Sequence, residues 1–293
     1  MGALDGRTVI VTGAGRGIGR EYALLCAAEG ANVMVNDLGS AADGSGADSG
    51  PASEVVAEIR AWGGRAEVNG DDVADAAGAG RLVKSAIARF GGLDVLVNNA
   101  GILRDRMLVN LSDADWDDVI RVHLRGHFLP LRAAAVYWRD QHKRGATVQA
   151  AVINTASTSG LFGQAGQANY GAAKSGIAGL TMIANLELAR YGVRVNAICP
   201  AARTRLTDTL TESASSGFDL TDPANVAPFV AYLATSDCPI AGRTFFVMGG
   251  SVHLFRPWSI ADSIHLDRRW TVAELRDQAA RFAEVDLEIT LPY

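Results

Sequence analysis

Thr8-Val9-Ile10-Val11-Thr12-Gly13-Ala14-Gly15-Arg16-Gly17-Ile18-Gly19-Arg20-Glu21-Tyr22-Ala23-Leu24-Leu25 decides how this chain folds. The first five residues form an apolar run rich in β-branched side chains, as a buried strand requires. Glycines follow, and then Arg20–Ala28 reads as a helix. In a strand–turn–helix unit of this kind the glycines let backbone approach an anion closely. The helix start offers free N–H groups and the positive end of the dipole. The spacing is Thr-Gly-x-x-x-Gly-x-Gly rather than Gly-x-Gly-x-x-Gly, because Ile18 stands where the commoner pattern needs glycine. Gly13, Arg16, Gly17, Ile18 and Gly19 are therefore candidates to cradle a pyrophosphate. A glycine-rich turn without ligand is the bland alternative.

The next apolar run, Asn32-Val33-Met34-Val35-Asn36, ends at Asp37. An acid about twenty residues beyond such a turn, at the tip of the second strand, can accept both ribose hydroxyls of an adenosine. It would also repel a 2′-phosphate, so NAD is expected over NADP. Arg16 argues the other way, since a guanidinium attracts that phosphate.

Further strand candidates fall at residues 65–68, 94–97, 148–154, 193–198 and 244–247. Helical stretches lie near 53–62, 75–90, 112–142, 168–190 and 223–235. This alternation predicts an α/β fold: a Rossmann-like, doubly wound parallel sheet of about seven strands with helices on both faces. Residues 1–250 are expected to form that domain and 251–293 an extension packed on it or on a neighbouring subunit. Thr12, Asp37, Asn98 and Ser157 all fall at the carboxyl ends of strands, the edge where such sheets bind ligands. The stretch from Gly39 to Ser53, rich in Gly, Ala, Ser and Asp, reads as a mobile surface loop. In the extension, Thr271-Val272-Ala273-Glu274 reads as a capping box.

Tyr170 and Lys174, in Asn169-Tyr170-Gly171-Ala172-Ala173-Lys174, sit one helical turn apart on one face. An ammonium beside a phenol favours the phenolate and lowers its pKa. A phenol tuned in this way can exchange a proton with an alcohol or carbonyl, and Ser157 upstream can hold the same substrate oxygen.

The 293 residues are 48% hydrophobic and 20% charged, enough for a large core. A net charge of −5 weighs against nucleic acid or an anionic membrane as partner. Met1–Gly6 shows no signal-peptide pattern and no uncharged run suits a bilayer span. Cys26, Cys199 and Cys238 lack metal or disulfide spacing. A cytoplasmic protein without a metal is expected.

Together, Thr12-Gly13-x-x-x-Gly17-x-Gly19, Asn98-Asn99-Ala100-Gly101, Ser157, Tyr170-x-x-x-Lys174 and Pro200 resemble the short-chain dehydrogenase/reductase family over about residues 5–250. The resemblance implies a nicotinamide cofactor. It also implies Tyr170 as acid/base, Ser157 as the partner of the substrate oxygen, and Lys174 as pKa tuner and ribose ligand. Asp72 and Val73 match the adenine position. Asn98, Ala100 and Gly101 match cofactor contacts beside the fourth strand. Ala202 and Thr204 are candidates for the nicotinamide amide, although Ala201 stands where the family usually has glycine. Many members carry asparagine in place of His123, so His123 either relays protons or packs.

Within the family, Asn36-Asp37-Leu38-Gly39, Ile102-Leu103-Arg104-Asp105-Arg106, Arg121-Val122-His123-Leu124-Arg125-Gly126 and Gly166-Gln167-Ala168-Asn169-Tyr170 are similar to the (3R)-hydroxyacyl-CoA dehydrogenase part of peroxisomal multifunctional enzymes, grouped with 17β-hydroxysteroid dehydrogenases. That resemblance implies oxidation of a 3-hydroxyacyl-CoA with NAD by a homodimer or homotetramer. The competing expectations are an NADPH-dependent 3-oxoacyl-carrier-protein reductase, a hydroxysteroid dehydrogenase, and a non-catalytic nucleotide-sensing scaffold.

Overall fold

The opening stretch forms β1 (Thr8–Thr12), every residue of it buried, and runs into α1 (Gly17–Ala28). These elements come from a computed structural model that describes residues 2–204 and 217–286. Seven more strands follow: β2 (Asn32–Asn36), β3 (Arg65–Asn69), β4 (Val95–Asn98), β5 (Ala150–Thr155), β6 (Val193–Ala201), β7 (Thr244–Met248) and β8 (Ser251–Leu254). The helices between and after them are α2 (Gly50–Ala61), α3 (Ala76–Phe90), α4 (Asp113–Ile120), α5 (Gly126–Lys143), α6 (Thr158–Phe162), α7 (Ala168–Leu188), α8 (Ala227–Ala234) and α9 (Val272–Gln278).

The strands make one sheet in the order β3-β2-β1-β4-β5-β6-β7-β8. All neighbours are parallel except β7 and β8. This is the doubly wound α/β architecture expected from the alternation. The eighth strand adds residues 251–254 to the sheet as an antiparallel edge. Strand order reverses between β1 and β4, and the carboxyl ends of strands at such a reversal are where doubly wound sheets bind ligands.

Alternation along each strand divides the core in two. Val9 and Val11 pack with Tyr22, Val55 and Val230 on one face. Ile10 packs with Leu82, Trp138 and Ala184 on the other. Trp138 also donates its indole N–H to the Leu93 carbonyl at 2.6 Å. Helix α3 is bounded at both ends: Asp75 accepts the Gly78 N–H at 2.7 Å, and Gly91 closes it in the left-handed region with φ 90°.

Two expectations are corrected. The helix over 112–142 is not continuous: a π-helical turn, Arg121–Arg125, separates α4 from α5 and carries His123. Single π turns inside helices often mark functional positions. The stretch Gly39–Ser53 is a surface loop only as far as Ser49. Gly50 already opens α2, and the residues before it are hydrogen-bonded to the segment after β4.

Phe255–Tyr293 forms a second unit, distinct from Met1–Leu254. Within it Thr271 and Glu274 make the expected capping box at the start of α9, and Arg268 pairs with Glu274 at 2.5 Å. Among the described residues no helix is long and apolar enough to cross a membrane.

Candidate active site

The glycine turn is built for close approach. Gly13 and Gly17 have φ 63° and 55°, and a Cβ on Gly19 would lie 2.2 Å from the Gly13 carbonyl oxygen. Arg16, the exposed residue before α1, is extended and caps the helix with no side chain, and the first turn holds no acid. The first N–H groups of α1 are thus left for an anion. Asp37 stands against the turn. One carboxylate oxygen accepts the Gly15 N–H at 2.7 Å and the other the Gly39 N–H at 2.6 Å. Each oxygen keeps a lone pair for a further donor. Uncapped donors beside a fixed carboxylate suit the pyrophosphate and ribose of a dinucleotide.

The candidate catalytic residues gather beyond β5. Ser157 caps the short α6, its Oγ accepting the Ser159 N–H at 3.2 Å, which leaves its proton free to donate. Tyr170 opens α7, where Asn169 accepts the Tyr170 N–H at 2.8 Å. Lys174 is 2% exposed; its Nζ donates to the Thr155 carbonyl at 2.6 Å and lies 5.4 Å from the Tyr170 ring centroid. His123 meets Tyr170 edge-on at 5.1 Å. Its Nε2 faces the Ile102 N–H and carbonyl at 3.1 and 2.7 Å, while buried Nδ1 has no protein partner.

Burial outweighs the lysine in setting these ionisations, a correction to the expected tuning. It pushes the Tyr170 phenol up to about 12, with the Ser157 hydrogen bond pulling back, and Lys174 down to about 7. It also drives His123 down to about 3, helped by the lysine charge. Without ligand, all three groups are drawn toward their neutral forms.

A family model for short chain dehydrogenases matches residues 7–215. The chain belongs to the short-chain dehydrogenase family. It is 46% identical over 265 residues to the hydroxyacyl-CoA dehydrogenase ChsB1 of Mycobacterium tuberculosis, covering 87% of this chain and 81% of that protein. It is 46% identical over 255 residues to the peroxisomal multifunctional enzyme type 2 of Mus musculus, covering 86% of this chain and 33% of that enzyme. A crystal structure of a short chain dehydrogenase from Mycobacterium avium superposes with a TM-score of 0.88 at 49% identity, covering 97% of this chain and 96% of that one. The family's dehydrogenases are oxidoreductases that use nicotinamide cofactors.

The other candidate residues of this short-chain dehydrogenase divide by surroundings. Thr204 lies over the start of α1, near Gly17. Ala202 and Val73 are buried in the two cores, so any contact they make with a ligand is through backbone. The Asp72 carboxylate is engaged by Arg121 at 2.8 Å. Asn98 is fully buried, donating to Asn154 at 3.0 Å while its Oδ1 has no partner. Ala100 donates its N–H to Thr12 Oγ1 at 3.1 Å, and Gly101 backs directly onto the His123 ring.

Sequence reasoning missed the polar floor beneath these groups. His127 is buried, and its Nε2 accepts the Thr155 N–H at 3.4 Å, so one peptide segment meets both His127 and Lys174. Asn154 passes its hydrogen bond to Thr181 at 3.0 Å. His127 lies one turn beyond His123 on the same helical side, and that spacing was the available signal.

Proposed function

We propose that this chain oxidises the 3-hydroxyl of a 3-hydroxyacyl-CoA to the 3-ketoacyl-CoA with NAD, the acyl part being a fatty acyl or steroid side chain. The carrying observation is the convergence of Ser157, Tyr170 and Lys174 beyond β5, in a sheet whose glycine turn is faced by a fixed carboxylate. The hydroxyacyl-CoA dehydrogenase among the relatives supports the substrate class.

In this reading Tyr170 takes the hydroxyl proton and Ser157 donates to the oxygen as it becomes a carbonyl. Lys174, fixed by Thr155, holds the phenolate and reaches a ribose hydroxyl. His123 stays neutral and offers Nδ1 to a water on the proton's way out. Bound oxidised nicotinamide supplies the hydride acceptor and a positive charge that draws the phenol's pKa back down. Gly13, Arg16, Gly17, Ile18 and Gly19 would hold the pyrophosphate, Asp37 the adenosine ribose, Asp72 and Val73 the adenine. Asn98, Ala100, Gly101, Ala202 and Thr204 would line the nicotinamide end. Three buried free cysteines suit the reducing cytoplasm in which we place it, as a homodimer or homotetramer.

The test compares NAD and NADP as acceptors across short, long and steroid hydroxyacyl-CoA thioesters, read by absorbance of the reduced cofactor. NAD-linked turnover of a thioester is expected. A strong preference for NADPH in the reverse reaction would replace this reading with the reductase one. Tyr170→Phe is expected to lose more than about a hundredfold in turnover while binding NAD normally; near-normal rate would remove Tyr170 from its role.

A further inference from the structure

The segment between β2 and α2 is tied down at its root and at its tip. At the root, Asp37 holds Gly15 and Gly39, and the Asp48 N–H donates to the Leu38 carbonyl at 2.9 Å. Nearer the tip, the Ala41 N–H donates to Ser45 at 2.8 Å and the Gly44 N–H to Ala41 at 3.0 Å, closing a turn. The turn then lands on the segment after β4. The Leu103 N–H donates to the Ala42 carbonyl at 3.1 Å, Arg104 Nε donates to the Asp43 carbonyl at 3.0 Å, and Gly44 rests on the Ile102 side chain.

Sheet order gives this path its meaning. β2 and β4 flank β1, so a segment rooted after β2 and fastened after β4 crosses the carboxyl end of β1. That is where the glycine turn stands.

Arg104 is a fixed post rather than a moving part. Its guanidinium pairs with Asp115 at 3.3 Å and Asp118 at 3.1 Å on α4. Its carbonyl accepts Asn169 Nδ2 at 3.1 Å, and Asn169 in turn holds the Tyr170 N–H. One residue therefore joins the crossing segment, α4 and the start of the helix that bears Tyr170.

We propose that Arg104 is a positioning residue that latches residues 38–49 as a strap over the dinucleotide site, so that the cofactor leaves only when the strap's tip lifts from Leu103 and Arg104. The proposal rests on the reading of the glycine turn as a dinucleotide site. A strap of this kind retains the cofactor without touching the reacting atoms, so its signature is a release rate.

The experiment uses the intact chain loaded with NADH, chased with excess NAD, and follows NADH fluorescence by stopped flow. Arg104→Lys keeps a cation for Asp115 and Asp118 but cannot also give a directed N–H to Asp43. Gly44→Val places a branched side chain at φ 89°, with its Cβ 3.2 Å from Ile102, and loosens the tip without touching Arg104, α4 or α7. Both variants are expected to release NADH about tenfold faster, the scale of one lost charge-assisted hydrogen bond, with unchanged circular dichroism. Release at the wild-type rate in either variant overturns the proposal, since the strap and the latch must both matter. Wild-type chain that binds neither NADH nor NADPH sinks the dinucleotide reading instead, which keeps the two failures apart.

Discussion

At the residue scale, the governing fact is that burial moves Tyr170, Lys174 and His123 toward neutrality before any ligand arrives. Lys174 makes this measurable. Its folded pKa is about 7, whereas an unfolded lysine titrates at roughly 10.4. Between those values unfolding takes up a proton, so raising the pH stabilises the fold; below about 7 the amine is charged in both states and the benefit is absent. Ligand-free stability in urea is expected to climb between pH 7 and 9, by at most about 1.4 kcal/mol per pH unit from this group. Lys174→Met should lose that climb. An identical slope in wild type and variant would mean that the lysine is not held as described. His123, at about 3, contributes no ionisation at neutral pH, so the pH profile of kcat/KM in His123→Asn should keep the shape it has in the wild type.

At the element scale, the turn between β1 and α1 tolerates almost no added atom. Gly19→Ala would drive a methyl into the Gly13 carbonyl, and the turn must shift to relieve it. We expect a loss of about 1–3 kcal/mol in stability together with more than tenfold weaker NADH binding, read by fluorescence titration. Asp75→Ala offers the contrast. It removes the cap of α3, away from Tyr170 and Lys174, and should cost about 1 kcal/mol while leaving kcat alone. The glycine turn, the alternation and Tyr170-x-x-x-Lys174 were legible in the sequence because each is a local pattern of period or spacing. The break between α4 and α5 was not, because nothing in the apolar periodicity of 112–142 marks one extra residue in a turn. His127 and Thr155 were missed for a related reason: their partnership with Lys174 joins α5, β5 and α7, which no window of sequence contains.

At the scale of the whole molecule, the sheet collects residues from the ends of separate strands on one edge, and a second unit begins at Phe255. Residues 255–271, all of them described, hold no helix or strand, so trypsin acting on native protein should cut at Arg268 or Arg269, Arg256 being shielded by the following Pro257. Mass spectrometry would find fragments that keep all eight strands and, by circular dichroism, a cooperative melt; loss of the melt on cleavage would show that the sheet depends on the second unit. Sequence alone determined the α/β class, and it singled out the strand-end residues and the Ser157, Tyr170 and Lys174 set as the candidates for binding and proton transfer, because hydrophobic period and motif spacing are written along the chain. Tertiary structure alone decided how those side chains ionise and what passes over the cleft. Desolvation depends on every atom packed around a group, and the path of the strap depends on β2 and β4 lying on opposite sides of β1, neither of which exists before the chain has folded.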